Sequence, residues 1–247
     1  MTTTTERTIR EIAIENPSTI RVFESLGLDY CCGGKRTLSE ACATAKVPVA
    51  HALELLEDAG RGVHEETGGW NEAPLHALTA HIVATHHDFV RRETPRIEGL
   101  LTKVVGRHGS VHPEVGQIEE LFVAMGRELN THMLKEEQVL FPYIEKMEAA
   151  VDAGRPPTPA FFGSVANPIA KMMADHDDAG ALLSRIRELS GGFTAPANAC
   201  PTYRGLYHSL AEFESDLHRH VHLENNILFP RAARMEAAAP KATGATH

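Results

Sequence analysis

Apolar residues recur every three or four positions along almost the whole chain, the period of helices with one buried face. Ile9, Ile12 and Ala13, then Ile20, Phe23 and Leu26, mark two short helices, and Gly27 is a natural stop for the second. Leu28 to Gly34 reads as a tight turn carrying Cys31 and Cys32. Thr37-Leu38-Ser39-Glu40 opens a third helix, and Val49 to Leu56 forms a fourth. A polar, glycine-containing stretch follows. The pattern then resumes as four longer helical segments, with Pro74, Pro113, Pro168 and Pro201 each near the start of one, where a missing N–H costs nothing.

Gly106 and Gly109 are read as separating the first long segment from the second. Gly154-Arg155-Pro156-Pro157 closes the second, and Gly191-Gly192 the third. Pro142 and Pro230 fall inside the second and fourth segments and predict a bend in each. Strand signals are nearly absent, so the class is all-α. Residues 1–64 form a small N-terminal helical domain, 65–73 a flexible linker, 74–239 an up-down four-helix bundle, and 240–247 a frayed tail.

Composition narrows the function. A net charge of -9 without a basic block disfavours a nucleic-acid surface, which needs clustered Lys and Arg. No apolar run is long enough for a signal peptide or a membrane span, so a cytoplasmic protein without a membrane partner is expected. The 4 cysteines do not make a disulfide framework, and the adjacent Cys31 and Cys32 are read as reduced thiols. Cys42 and Cys200 look like ordinary buried thiols. The 15 histidines are a surplus whose meaning lies in their spacing.

Two segments are copies of one pattern: His132-Met-Leu-Lys-Glu136-Glu-Gln-Val-Leu-Phe-Pro142 and His220-Val-His-Leu-Glu224-Asn-Asn-Ile-Leu-Phe-Pro230. Each is preceded, at nearly the same distance, by a His-Asp pair, His87-Asp88 and His176-Asp177. The bundle therefore reads as two helical hairpins related by a pseudo-two-fold. Four residues advance a helix by about 400°, so the His and Glu of each copy project from one face. Two such pairs and one histidine from each remaining helix offer four imidazoles and two carboxylates. Carboxylates bridge metal pairs, a mixed N/O shell suits iron, and bundles build di-metal sites from inward-facing residues.

The candidate metal ligands are His87, His132, Glu136, His176, His220 and Glu224. His86 rivals His87, which is preferred because its His-Asp pairing matches His176-Asp177. Glu128 and Asp216, each four residues before a motif histidine, are candidates to accept the other ring N–H of a ligand. His218 and His222 lie about 200° around the helix from His220 and are expected to be solvated or to support the ligands from outside. His51, His64, His76, His108, His112, His208 and His247 are read as surface or satisfied core residues.

Asp29-Tyr30-Cys31-Cys32-Gly33-Gly34 followed by two His-x-x-x-Glu-x-x-x-Leu-Phe-Pro copies resembles the Repair of Iron Centers family, from about residue 8 to residue 235. The resemblance implies a Cys-Cys domain and a hemerythrin-like bundle with two non-haem iron ions, oxo-bridged. It places the ligands on the six residues named above, with Glu136 and Glu224 as bridges. Arg91 and Pro95 match positions that follow the family's first histidine and favour His87; His86 stands where relatives can carry an aromatic residue. The implied function is repair of iron–sulfur proteins after nitrosative or oxidative damage, as an iron donor handing metal over through Cys31 and Cys32. The alternatives are nitric oxide reduction or scavenging at the metal pair, and sensing of O2 or NO.

Overall fold

The computed structural model describes residues 5–16, 18–30, 33–61 and 69–240. Cys31 and Cys32, residues 62–68 of the linker region and the tail from 241 lie outside the described residues. Eleven α-helices and three π turns account for the architecture among those described, and no helix there is long and apolar enough to cross a membrane.

The N-terminal unit comprises α1 (Ile9–Glu15), α2 (Thr19–Leu26), α3 (Leu38–Ala45) and α4 (Val49–Arg61). Its starts and stops are written in short-range chemistry. Thr8 and Glu11 form a capping box at α1, and Thr37 and Glu40 form another at α3, each satisfying orphan N–H groups reciprocally. Gly27 ends α2 in the left-handed region (φ 66), where the Leu28 N–H reaches back to Phe23 O at 2.8 Å. Ile9, Ile12, Phe23, Leu28, Tyr30, Leu38 and Leu56 close a core within this unit.

The bundle's first long segment is α5 (Leu75–Ile82), a π turn (Val83–His87) and α6 (Asp88–His108). The second is α7 (Glu114–Lys135), a π turn (Glu136–Leu140) and α8 (Phe141–Asp152). α9 (Ala166–Leu189) is the third. The fourth is α10 (Pro201–His222), a π turn (Leu223–Leu228) and α11 (Phe229–Ala238). α7 packs between α6 and α9, α10 lies on α6, and α8 meets α5 and α11. Glu148 on α8 accepts the N–H groups of Leu75 (2.5 Å) and His76 (2.9 Å), a carboxylate at the positive end of α5.

Two readings of the long segments change. Gly106 lies inside α6, and Gly109 alone caps it, because a glycine with helical neighbours on both sides weakens a helix without ending it. Pro142 and Pro230 are accommodated by π turns immediately before them. In each copy the N–H of the phenylalanine reaches five residues back, Phe141 to Glu136 O and Phe229 to Glu224 O. The proline then takes the second position of α8 or α11, where no N–H is required.

Two apolar layers fill the bundle. One gathers Val90, Ile97, Phe122, Leu129, Met133, Leu183, Phe213 and Leu217 along α6, α7, α9 and α10. The other gathers Leu78, Ile82, Leu140, Ile144, Met172, Ile227 and Leu228 around α5, α8 and α11. The motif histidines and glutamates fall in sequence between the members of these layers, so they occupy a polar waist inside an apolar bundle.

Candidate metal centre

At that waist the six residues singled out from the sequence come together. His87, Glu136, His220 and Glu224 bring ligand atoms within 4.8 Å of one another, and so do His132, Glu136, His176 and Glu224. Both groups are buried, with Glu136 and Glu224 at 0% exposure. Each group takes one histidine from each hairpin: α10 supplies a partner to the segment carrying His87, and α9 supplies one to α7.

The two glutamates divide their oxygens between the groups. Glu136 offers Oε1 to His132 Nε2 (3.2 Å) and Oε2 to His87 Nε2 (3.4 Å). Glu224 offers Oε1 to His220 Nε2 (3.1 Å) and Oε2 to His176 Nε2 (3.0 Å). Paired imidazole nitrogens also converge, His87 Nε2 on His220 Nε2 at 3.2 Å and His176 Nε2 on His132 Nε2 at 3.0 Å.

Three of the four imidazoles are held from behind through Nδ1. His87 bonds Glu137 (2.6 Å), His176 bonds Asn225 (2.9 Å), and His132 makes a longer contact with Asp175 (3.4 Å). A proton on Nδ1 leaves the Nε2 lone pair facing the centre. Glu137, Asp175 and Asn225 were not read from the sequence, yet each adjoins a ligand in the chain and serves a histidine of another segment. Phe141 and Phe229, equivalent in the two Leu-Phe-Pro copies, stack on His87 (5.8 Å between centroids) and His176 (6.1 Å).

Burial alone would push both carboxyls up, and Glu224 pushes Glu136 up further. The imidazoles overrule this. His132 and His87 hold Glu136 below the usual carboxylate range, and His220 and His176 hold Glu224 well below it. In return, and against the cost of burial, Glu136 and Glu224 raise His132 to about 9 and His87 above its ordinary value. Burial holds His220 below its ordinary value. Two ionised carboxylates so close in a dry interior call for a cation. Among the described residues Glu136 Oε1 and Oε2 and Glu224 Oε2 accept no conventional hydrogen bond, which suits them to bind metal. The donor set of imidazole and carboxylate suits iron among first-row metals.

Other expected residues sit elsewhere. Glu128 is exposed on α7, on the rim of a surface cavity of about 360 Å³ that also touches His132, and it is Asp175 that meets His132 Nδ1 in its stead. Asp216 is buried, but its Oδ1 bonds His86 Nδ1 at 3.0 Å; it does not bond His220. His86 is buried beside the centre, parallel to His220 at 5.5 Å, and outside both ligand groups. His222 is neither solvated nor a support for the ligands. It is 2% exposed because the N-terminal unit covers this face of α10, and burial drives it down to about 4. Tyr30 lies on His222 (5.5 Å) and edge-on to His218 (6.1 Å), and its carbonyl accepts from Asn226 Nδ2 at 3.4 Å. Cys200, read as an ordinary buried thiol, is half-buried at the start of α10, with His108 Nε2 3.2 Å from its sulfur.

An all-helical bundle with two His/Glu groups at its waist defines a cation-binding protein of the hemerythrin type. Residues 78–232 match the family model of the hemerythrin HHE cation binding domain, and residues 5–60 match ScdA_N, a domain of unknown function. Over 94% of its length the chain is 36% identical to the iron–sulfur cluster repair protein YtfE of Pectobacterium atrosepticum, covering 98% of that protein. It is 37% identical to the protein of the same name from Musicola paradisiaca over 94% of this chain and 98% of that one. For the Escherichia coli O8 protein of that name the identity is 33%, over 92% and 96%. The chain belongs to the family of iron–sulfur cluster repair proteins that these relatives represent.

Proposed function

We propose that the chain holds two iron ions at the waist of its bundle and repairs iron–sulfur clusters damaged by nitrosative or oxidative stress, acting as an iron donor in the cytoplasm. The observation that carries the reading is the division of each glutamate's oxygens between two histidine pairs, the arrangement a bridging carboxylate requires. One ion falls to His87 and His220, the other to His132 and His176, with Glu136 and Glu224 shared. Bound iron would supply a releasable divalent ion or, when oxidised, an oxo-bridged ferric pair. The relatives' shared name supports the repair assignment.

The protein residues do the remaining work. Glu137, Asp175 and Asn225 fix imidazole orientation through Nδ1. Phe141 and Phe229 cover two of the rings and keep bulk water off them. Cys31 and Cys32 are the thiols through which iron would pass to a damaged client. Two imidazoles and two carboxylates would give each ion four protein donors and leave room for a small exogenous ligand. That openness favours a second reading, reduction of nitric oxide at the pair.

The test is metal content with visible absorption of protein purified without chelator, beside restoration of a nitric-oxide-damaged iron–sulfur enzyme. The parent should carry two irons and repair. Glu136→Ala/Glu224→Ala should do neither, while Cys31→Ala/Cys32→Ala should keep its iron and lose repair. Repair by the iron-free variant would sink the donor reading. Repair by the cysteine variant would remove the thiols from the path.

A further inference from the structure

His86 is set up as a ligand although it belongs to neither ligand group. Its Nδ1 is bonded to the buried carboxylate of Asp216 at 3.0 Å, as the Nδ1 of His87 is bonded to Glu137. That bond puts the proton on Nδ1 and leaves the Nε2 lone pair uncommitted among the described residues. The second Asp216 oxygen, Oδ2, is buried and accepts no hydrogen bond among the described residues. A buried imidazole clamped by a half-satisfied carboxylate is costly as packing and useful as a donor set.

Its surroundings give it direction. The His86 ring lies parallel to His220, 5.5 Å away, and His220 bears on the inner centre. His81 touches His86 as well, edge-on at 5.9 Å, and is half-buried at the surface. His81 also has Nδ1 occupied, by Thr85 Oγ1 at 3.3 Å, and Trp70 stacks on it at 4.6 Å. The π turn Val83–His87 begins two residues after His81 and contains His86. It widens the helical turn so that positions five apart, His81 and His86, come onto one face.

We propose that His81 and His86, with Asp216, form a transit site through which a divalent metal ion passes between solvent and the inner centre. Passage exchanges one imidazole donor for the next, and no electron need be supplied. The inference rests on the six-ligand reading of the inner centre.

The test follows iron-loaded full-length protein mixed with excess ferrous chelator, alongside iron content and the visible spectrum before mixing. His86→Phe keeps an aromatic ring against His220 and removes the donor nitrogens. It should retain the parent's iron content and spectrum, release iron severalfold more slowly, and reload the metal-free protein as slowly. His81→Phe should slow both processes as well. His86→Phe/Asp216→Asn removes the carboxylate left without a partner and keeps the test open if the single variant folds poorly. Parental release rates in both histidine variants would overturn the transit site. Loss of iron at equilibrium in His86→Phe would also overturn it, by making His86 a resident ligand. An iron-free parent would instead condemn the inner centre itself.

Discussion

His87 Nε2 stands 3.2 Å from His220 Nε2, although 133 positions separate the two residues in the chain. Two nitrogen lone pairs at that distance repel unless a proton or a metal ion is shared between them. Substituting either residue by alanine should sharply lower iron content, measured by elemental analysis. His218→Ala should leave it unchanged, because His218 faces Tyr30 across the helix. Equal iron in all three variants would refute the assignment.

The groups behind the imidazoles should matter almost as much as the ligands. Asn225→Ala removes the acceptor of the His176 Nδ1–H, 2.9 Å away, without touching a ligand. Metal affinity, measured by competition with a chelator of known strength, should fall about 10–100-fold. Unchanged affinity would mean that packing under Phe229 alone orients the ring.

Metal uptake by the metal-free protein should release protons. His132, raised to about 9 by Glu136 and Glu224 against the cost of burial, is protonated at neutral pH without metal and must lose that proton to bind. Apparent affinity should therefore climb as pH rises from 6.5 towards 9 and flatten above it. Binding at pH 7.5 in weak buffer with a pH indicator reads the proton directly. A flat profile would contradict the burial and charge pattern at His132.

Acid should weaken the seam between the N-terminal unit and α10. Burial holds His222 down at about 4 against an ordinary 6.5. The unfolded chain therefore binds the extra proton between those values, and this contribution to stability is full above 6.5 and lost as pH falls to about 4. The loss amounts to about 3 kcal/mol at most. In urea unfolding of metal-free protein, His222→Gln should lose less stability than the parent between pH 7 and pH 4.5.

The carboxylate at the start of α5 offers a test of the fold apart from metal. Glu148→Ala strips two N–H groups of their acceptor at the helix N-terminus and should cost about 1–2 kcal/mol in denaturant unfolding. Iron per folded chain should stay at the parent's value.

The sequence exposes what repeats. His132–Glu136 and His220–Glu224 are legible because spacing by four is a local property of a helix, and their duplication in register rules out chance. His87 was separable from His86 because Asp88 mirrors Asp177. What could not be read depends on which segments face each other. Asp216 has helical register to serve His220, yet His86 arrives from another segment and takes its oxygen. Glu128 occupies the matching register in α7 but stays exposed. His218 and His222 look polar and solvated until the N-terminal unit, bringing Tyr30, is laid over them. The π turns were invisible because a single extra residue in a turn leaves the apolar pattern almost intact.

Those π turns also constrain how the chain can change over generations. In both copies the phenylalanine N–H reaches the carbonyl of the ligand glutamate five positions earlier. Deleting one residue between Glu136 and Phe141 would restore an ordinary helix with no hydrogen bond lost. Positions four apart in that helix share a face as positions five apart do in the π turn, so Phe141 would keep its place against His87. The residue lost would come from the turn itself, where Glu137 bonds His87 Nδ1 and Leu140 is buried in the apolar layer. A helix can therefore change length by one residue at such a turn without moving its flanks, and what holds the extra residue in place is the work of the side chains inside the turn.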